Sequence, residues 1–135
     1  MPAPSGPSFW LKAIGHARGP LGERWLDERP ELLHRTGFPR RPRIATGDRL
    51  IYCASVWRVV FAAVEVVGDP EQTRPGTRWP WTVDVEPLIA IPVLDRAPPV
   101  EAMGVPARSM SQQSHIRIAA EQYARAVEVM TSVAS

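Results

Sequence analysis

Residues 47–70 decide the fold; they read GDRLIYCAS (47–55), VW (56–57) and RVVFAAVEVVGDP (58–70). β-Branched, aliphatic and aromatic residues fill two runs, and Gly, Asp and Pro bound them, which predicts two adjacent strands joined by a tight turn. The second run is apolar from Val59 to Val67 except at Glu65, so both faces of that strand should be covered. The first run ends in Ala54 and Ser55, small residues that suit the mouth of a small β-barrel.

The same reasoning extends to the rest of the chain. The segment 23–35 has helical character and should be split at Pro30, because proline is tolerated in a first helical turn. One helical turn is predicted at Val100–Met103. Met1 to Ser8 is rich in Pro, Gly and Ser and is predicted to be a disordered tail before a single domain, residues 9–135. The other predicted elements are strands at Phe9–Ile14, Trp81–Ile91 and Ser114–Ile118 and a C-terminal helix at Ala120–Val133.

The strand that begins at Trp81 carries its own signal. Apolar residues alternate along it and should share one face. Pro87 falls in this series and cannot donate a ladder hydrogen bond, so an edge or a bulge is expected there. The apolar residues concerned are Val83, Val85, Ile89 and Ile91.

Composition bounds the function classes. The 135 residues carry a net charge of +2, and Lys12 is the only lysine, so arginine supplies nearly all the positive charge. Arginine suits phosphate and base contacts, although a GC-rich genome would produce the same excess. There is no run of about 18 apolar residues, the length that a membrane span needs. Cys53 is the only cysteine, so no internal disulfide forms, and a cytoplasmic location is expected.

Taken together in order and spacing, several segments resemble the EVE domain, a PUA-like family related to YTH domains. They are Phe9-Trp10-Leu11-Lys12, the 47–52 strand start, Phe61–Val66, Asp69-Pro70, Trp81–Val85 and Ser114–Ile118 with the following helix, across about residues 9–131. The resemblance implies an α+β, PUA-like fold: a small, strongly curved β-barrel flanked by short helices and a C-terminal helix.

The resemblance also implies a ligand. YTH domains hold one flipped-out nucleobase in an aromatic-lined pocket, and EVE-like domains are associated with modified bases in DNA or RNA. Two of the five tryptophans, Trp25 and Trp79, match positions of cage aromatics, and Trp81 is an alternate. The backbone of Lys12, Ala13 and Ile14 corresponds to the segment that touches the base. Ser55 is placed to meet a base edge, and Arg40, Arg41 and Arg43 are the candidate phosphate contacts.

Each assignment has a structural alternative. Tryptophan is well buried on average, so Trp25, Trp79 and Trp81 are also candidates for core packing or loop anchoring. The hydroxyl of Ser55 could equally cap the turn. A short arginine cluster such as residues 40–43 is commonly a solvated loop.

The sequence offers little for catalysis. His16, His34 and His115 lack metal-ligand spacing, no carboxylate pair suggests hydrolysis, and Cys53 lies in an apolar strand. We therefore expect no cofactor and no enzymatic activity. The predicted function is a non-enzymatic reader of a modified nucleobase in DNA or RNA; the alternative is a PUA-like interaction module for a protein partner or a small metabolite.

Overall fold

The computed structural model describes residues 6–15, 18–110 and 114–134. Its strands are β1 (Phe9–Ile14), β2 (Arg35–Phe38), β3 (Arg49–Ala54), β4 (Val59–Val66), β5 (Glu71–Gln72), β6 (Trp81–Ala90) and β7 (His115–Ile118). The α-helices are α1 (Trp25–Glu28) and α2 (Ala120–Ala134). Short 3₁₀ helices cover Pro30–Leu33, Leu94–Arg96, Val100–Met103 and Ala107–Met110.

The fold is α+β, with a strongly curled half-barrel sheet, short helices and a C-terminal helix. The strand order is β2-β6-β4-β3-β1-β7, and β5 pairs with β6 beside β2. The pair β1·β3 is parallel and the other pairs are antiparallel. The predicted fold class is confirmed, as are the hairpin of β3 and β4 and the division of residues 25–33 at Pro30.

The curl brings the two ends of the sheet together through side chains. Phe38 on β2 and His115 on β7 meet edge to face, with ring centroids 5.1 Å apart. The ammonium of Lys12, on β1, lies 4.8 Å from the centroid of the Phe38 ring. Since the edge strands β2 and β7 are not hydrogen-bonded to each other, a seam remains between them, and the end of β1 borders it.

Two hydrophobic cores lie on opposite faces of the sheet. Along β3, Leu50 and Tyr52 pack into the first core, while Ile51 and Cys53 pack into the second. The first core also contains Trp25 of α1, and the second contains Met130 of α2. The central strands are therefore buried on both sides, as the apolar run of residues 59–67 predicts.

The bulge expected at Pro87 is present, and it changes the predicted face assignment. Ala63 pairs with Ile89 and Val64 with Pro87, so Leu88 is an extra residue in β6. One extra residue turns the following side chains to the other face of the sheet. The prediction that all four apolar residues share a face is therefore wrong: Val83 and Val85 belong to the first core, Ile89 and Ile91 to the second.

Two further segments depart from the predictions. The sequence suggested a helix that continues to Arg35, but Arg35–Phe38 forms β2 and pairs with β6. The predicted disordered tail, Met1–Ser8, falls largely outside the described residues. Within the described part, the backbone N–H of Ser8 donates to the Asp48 carboxylate at 2.9 Å.

Candidate functional site: the seam cleft

A cleft of about 580 Å³ opens in the seam of the half-barrel, and we call it the seam cleft. One wall is the end of β1, Lys12–Ile14, and the opposite wall comes from the Pro30–Leu33 turn and β2. Trp79, from the loop before β6, closes a third side. A volume of this size lies within the usual range for small-molecule sites, about 300–1,000 Å³.

A hydrogen bond from β3 fixes the Pro30–Leu33 wall. The hydroxyl of Tyr52 donates to the carbonyl oxygen of Leu32 at 2.7 Å. Tyr52 is fully buried, and burial raises the pKa of its phenol far above the ordinary value, so the hydroxyl stays protonated and remains a donor. The turn is thereby fixed to the β3 strand beneath it.

The Trp79 wall depends on a glycine. A Cβ atom built on Gly37 would lie 3.1 Å from the Cβ of Trp79, closer than side chains normally approach. The absence of a side chain at residue 37 lets the Trp79 loop rest directly on β2. This close approach sets the position of the indole in the seam cleft.

Trp79 also differs from three of the other four tryptophans in its hydrogen bonding. The indole N–H groups of Trp10, Trp25 and Trp57 donate to Asp48, Ile91 and Leu21, respectively. No acceptor within residues 6–15, 18–110 and 114–134 receives the indole N–H of Trp79 or of Trp81, and of these two only Trp79 lines the seam cleft. Because buried indole donors usually find partners, an indole in an open cleft with a free N–H suits a ligand contact.

The amine of Lys12 is the most unusual group in the seam cleft. Lys12 is only 4% exposed, and its Nζ lies over the rings of Phe38 and Trp79, 4.8 and 5.8 Å from their centroids. Nζ donates to the carbonyl oxygen of Ala13 at 2.9 Å. Burial lowers the pKa of Lys12 from 10.5 to about 7.

Its neighbour across the β1·β7 ladder responds to the same environment. The register places His115 opposite Lys12, and the imidazole Nδ1 lies 2.7 Å from the hydroxyl of Ser114. Burial, and secondarily the charge of Lys12, lower the pKa of His115 below its ordinary 6.5. At neutral pH the histidine is therefore neutral and the lysine amine is the titrating group.

The rim of the seam cleft is basic but partly paired. Arg29 and Arg35 each contact a carboxylate at 2.9 Å, Glu31 and Asp84 respectively. Both pairs are about half exposed, so each stabilises the fold by about 1 kcal/mol at most. Arg74 lines the seam cleft as well, and no carboxylate among the described residues lies within ion-pair distance of it.

The structure brings only some of the predicted site residues together. Lys12, Ala13, Ile14 and Trp79 line the seam cleft. Trp25 does not: its side chain is fully buried, packs edge to face on Phe61 at 4.7 Å and donates to the carbonyl oxygen of Ile91 at 2.7 Å. The predicted cage of Trp25 and Trp79 is therefore absent, because the Trp25 indole is satisfied inside the first core.

Ser55 and Trp81 also lie outside the cleft lining. The hydroxyl of Ser55 donates to the carbonyl oxygen of Gly15 at 3.0 Å, a long-range contact to the end of β1 and not a cap of the turn after β3. Trp81 pairs with Phe38 and Gln72 in the sheet and packs partly buried against the first core.

The predicted phosphate contacts are displaced as well. Arg40, Arg41 and Arg43 are exposed and do not line the seam cleft; the Arg41 guanidinium lies 5.5 Å from the Trp81 ring centroid. The arginines that do line it are Arg29 and Arg35, which are close in the chain, and the distant Arg74. The assignment of Arg40, Arg41 and Arg43 as phosphate contacts stays a prediction, and it concerns a surface outside the seam cleft.

The potential metal ligands and the only cysteine are the groups that bear on other chemistries. Within the described ranges, no group of three His, Cys, Asp or Glu side chains is arranged to hold a metal ion; His16 lies outside them. Burial, and secondarily the charge of Glu101, raise the pKa of the Cys53 thiol to about 12. None of the described helices is both long and apolar enough to cross a bilayer.

Comparison with known proteins supports the fold alone. No protein-family model matches the sequence, and no curated protein matches it. Among solved structures, a crystal structure of a protein from Agrobacterium tumefaciens is similar with a TM-score of 0.55 and 16% identity, over 93% of this chain and 92% of that one.

Two further structures give the same result. An NMR structure of a protein from Rhodopseudomonas palustris is similar with a TM-score of 0.57 and 12% identity, over 93% and 94% of the two chains. A hypothetical protein from Leishmania major has a TM-score of 0.57 and 14% identity, over 93% and 96%. The class that fold and site define is thus a curled α+β half-barrel with a polar, tryptophan-walled cleft in its seam.

Proposed function

We propose that this protein is a non-enzymatic, EVE-like binding module that holds one nucleobase of DNA or RNA in the seam cleft. The observation that carries the proposal is the seam cleft itself: a base-sized space with the Trp79 indole on one side, peptide groups of β1 on another and arginines at the rim. Each part corresponds to a part of a nucleotide: ring, ring edge and phosphate.

The Trp79 indole supplies the stacking surface. A base stacked on an aromatic side chain gains about 1–3 kcal/mol. The Arg78 guanidinium already lies over this ring, 5.3 Å from its centroid, but an exposed contact of that kind contributes only about 0.5–1 kcal/mol. Stacking of a base on this indole is therefore worth more than the Arg78 contact, which comes from a residue outside the lining of the seam cleft.

The end of β1 supplies the polar wall beside the base edge. The Ala13 N–H is already bonded to the Ser114 carbonyl and the Ile14 carbonyl to the Ser55 N–H, so the contacts left for a base are the Lys12 ammonium and the second lone pairs of the carbonyl oxygens. Placing a base here requires removing it from its stack, which costs a few kcal/mol. Stacking and edge contacts together offset that cost.

The rim supplies phosphate binding. Arg74 has no carboxylate partner among the described residues, and Arg29 and Arg35 are held only by exposed ion pairs. Exchanging an exposed carboxylate for a phosphate oxygen costs little, and arginine binds phosphate in a bidentate manner. Binding should therefore weaken as salt rises, because phosphate contacts release counterions.

The alternative, a docking site for a protein partner, has less support at this position. The exposed large apolar side chains of the described residues are Val56, Trp57, Val67 and Leu88, and none lines the seam cleft. A cytoplasmic location belongs to this proposal, as does the absence of catalysis, which the protonated and buried Cys53 thiol favours.

The test is titration of the protein with short single-stranded oligonucleotides, carrying modified or unmodified bases, at low salt. Tryptophan fluorescence should be quenched, and Trp79→Ala should lose about 1–3 kcal/mol of binding free energy. Trp57→Ala is the matched control: it removes another partly exposed indole, one that lies outside the seam cleft.

For the rim, Arg74→Gln should weaken binding and reduce its salt dependence, while Arg40→Gln, outside the seam cleft, should do neither. No quenching by any oligonucleotide or nucleotide at low salt would overturn the proposal. Equal losses in Trp79→Ala and Trp57→Ala would move the site elsewhere.

A further inference from the structure

The only lysine of the chain is also among its most buried polar residues, and it lies in the seam cleft. The other fifteen basic side chains are arginines. An ammonium has three N–H donors. Among the described residues, the carbonyl oxygen of Ala13 is the hydrogen-bond acceptor of Lys12 Nζ, at 2.9 Å, which leaves donors available to a ligand.

The surroundings of Nζ give no compensating negative charge. The Phe38 and Trp79 rings and the neutral His115 imidazole are its close neighbours, and no carboxylate lies within ion-pair distance of it among the described residues. The carboxylates of the rim, Glu31 and Asp84, are paired with Arg29 and Arg35. A buried amine without a carboxylate is costly unless something else accepts its hydrogen bonds.

We propose that Lys12 selects the ligand: the seam cleft takes a neutral planar base whose inward edge carries hydrogen-bond acceptors, and it rejects bases that carry a fixed positive charge. This inference rests on the proposed function and narrows it. Carbonyl oxygens and unprotonated ring nitrogens, such as guanine O6 and N7, satisfy lysine donors. A cationic methylated base removes an acceptor and places a second positive charge beside the ammonium in a medium that screens it poorly.

The test uses two matched pairs of nucleoside monophosphates at pH 6, where Lys12 is charged. Guanosine monophosphate is compared with its cationic N7-methyl derivative, and cytidine monophosphate with its cationic N3-methyl derivative. Within each pair the sugar and phosphate are identical, so the arginine rim contributes equally. The neutral member should bind about tenfold more tightly or better in whichever pair fits the seam cleft.

Lys12→Met keeps a long, flexible side chain without charge, and in this variant the difference within the pair should fall to about threefold or less. A second measurement avoids variants altogether. Because the chain has one lysine, protein grown with ¹³Cε-lysine gives one side-chain signal from Lys12. That signal should shift when the neutral nucleotide binds and should shift less with the cationic one.

The outcomes separate the two proposals. Binding of the cationic member as tightly as the neutral one, or a difference that survives in Lys12→Met, overturns the role of Lys12 and leaves the binding function standing. Quenching by a nucleotide without any change in the lysine signal does the same. Failure of every nucleotide to change the fluorescence of the wild-type protein overturns both.

Discussion

The segment 25–38 lies between the first core and the seam cleft, and each of these two regions contains a tryptophan in a different environment. On one side, Trp25 lies fully buried in the first core, with its indole N–H bonded to Ile91 and its ring against Phe61. On the other side, Trp79 rests on Gly37 in the seam cleft, partly exposed, with no acceptor for its N–H among the described residues. The comparison shows that the position of an indole in the fold, and not the residue type, separates a core tryptophan from a candidate ligand contact; Trp81, which packs against the first core, also has no acceptor among the described residues.

The largest expected effect tests this contrast by unfolding. Trp25→Ala should lower the free energy of unfolding by about 3–5 kcal/mol, since it leaves a large cavity and an unpaired carbonyl in the core. Trp79→Ala should lower it by less, about 1–2 kcal/mol, because that indole is only partly buried at the edge of an open cleft. Denaturant titration of both variants measures the difference. Comparable losses would mean that Trp79 is a second core residue and would remove the contrast.

The next largest effect is the pH dependence of stability that the buried amine of Lys12, beside Trp79, should produce. Burial lowers the pKa of Lys12 to about 7 in the folded protein, against 10.5 for an exposed lysine. Above pH 7 the unfolded chain holds a proton that the folded chain has released, so stability rises with pH. The rise should reach about 2 kcal/mol between pH 7 and 9, at about 1.4 kcal/mol for each unit of pH.

Lys12→Met should be more stable than wild type at pH 7 and nearly independent of pH from 7 to 9. The window stops at pH 9 because the Cys53 thiol then begins to ionise in the unfolded chain, while burial raises its pKa to about 12 in the folded protein. Above that pH the free energy of unfolding should therefore fall in both proteins. His115, with its lowered pKa, acts below pH 6.5 in both proteins. If denaturant titrations show that the free energy of unfolding of the wild type does not change from pH 7 to 9, the Lys12 amine is exposed to solvent and its pKa is not lowered.

A smaller effect is expected from a substitution that shifts the Trp79 wall of the seam cleft and keeps the indole. Gly37→Ala places a methyl group 3.1 Å from the Trp79 Cβ, so the loop must shift by a few tenths of an ångström. We expect nucleotide affinity to fall about three- to tenfold, the equivalent of about 1 kcal/mol, with little change in unfolding. Gly47→Ala is unsuitable as the control because residue 47 has a φ of +95°. Ala45→Gly, in an exposed loop outside the cleft, should leave affinity unchanged.

The smallest effect lies in the turn between β3 and β4. Val56 adopts a φ of +75°, a conformation that β-branched residues rarely take, and its side chain is 60% exposed. Val56→Gly should relieve about 1–3 kcal/mol of strain and cost about 0.5–1 kcal/mol in chain entropy, for a gain of about 1 kcal/mol. Binding should not change, since Val56 does not line the cleft. A loss of stability in thermal unfolding would show that the turn is unstrained.

These contrasts show which features local sequence can specify. Strands β1, β3, β4, β6 and β7 and helix α2 follow from alternation, helical periodicity and turn residues, and the structure confirms them. Strand β2 was missed because its four residues, with Gly37 among them, carry little alternation and depend on pairing with β6. The face change after Pro87 needed the position of the bulge, which only the partner strand reveals.

The site was predictable only in part, for the same reason. Lys12–Ile14 and Trp79 came from the family resemblance, and the structure places them together. Nothing local marks Trp25 as a core residue, because its acceptor, Ile91, is 66 residues away. The rim arginines come from α1's end, β2 and the loop before β6, so their convergence is a property of the curled sheet and not of any short segment.

The extra residue in β6 has a consequence for how this chain can vary in length. The odd-numbered apolar residues before Leu88, Val83 and Val85, pack in the first core, whereas those after it, Ile89 and Ile91, pack in the second. Deleting or inserting a single residue between Val85 and Ile89 would exchange inward and outward positions for half the strand, whereas a change of two would preserve them. Insertions and deletions that the fold tolerates in this segment should therefore contain an even number of residues.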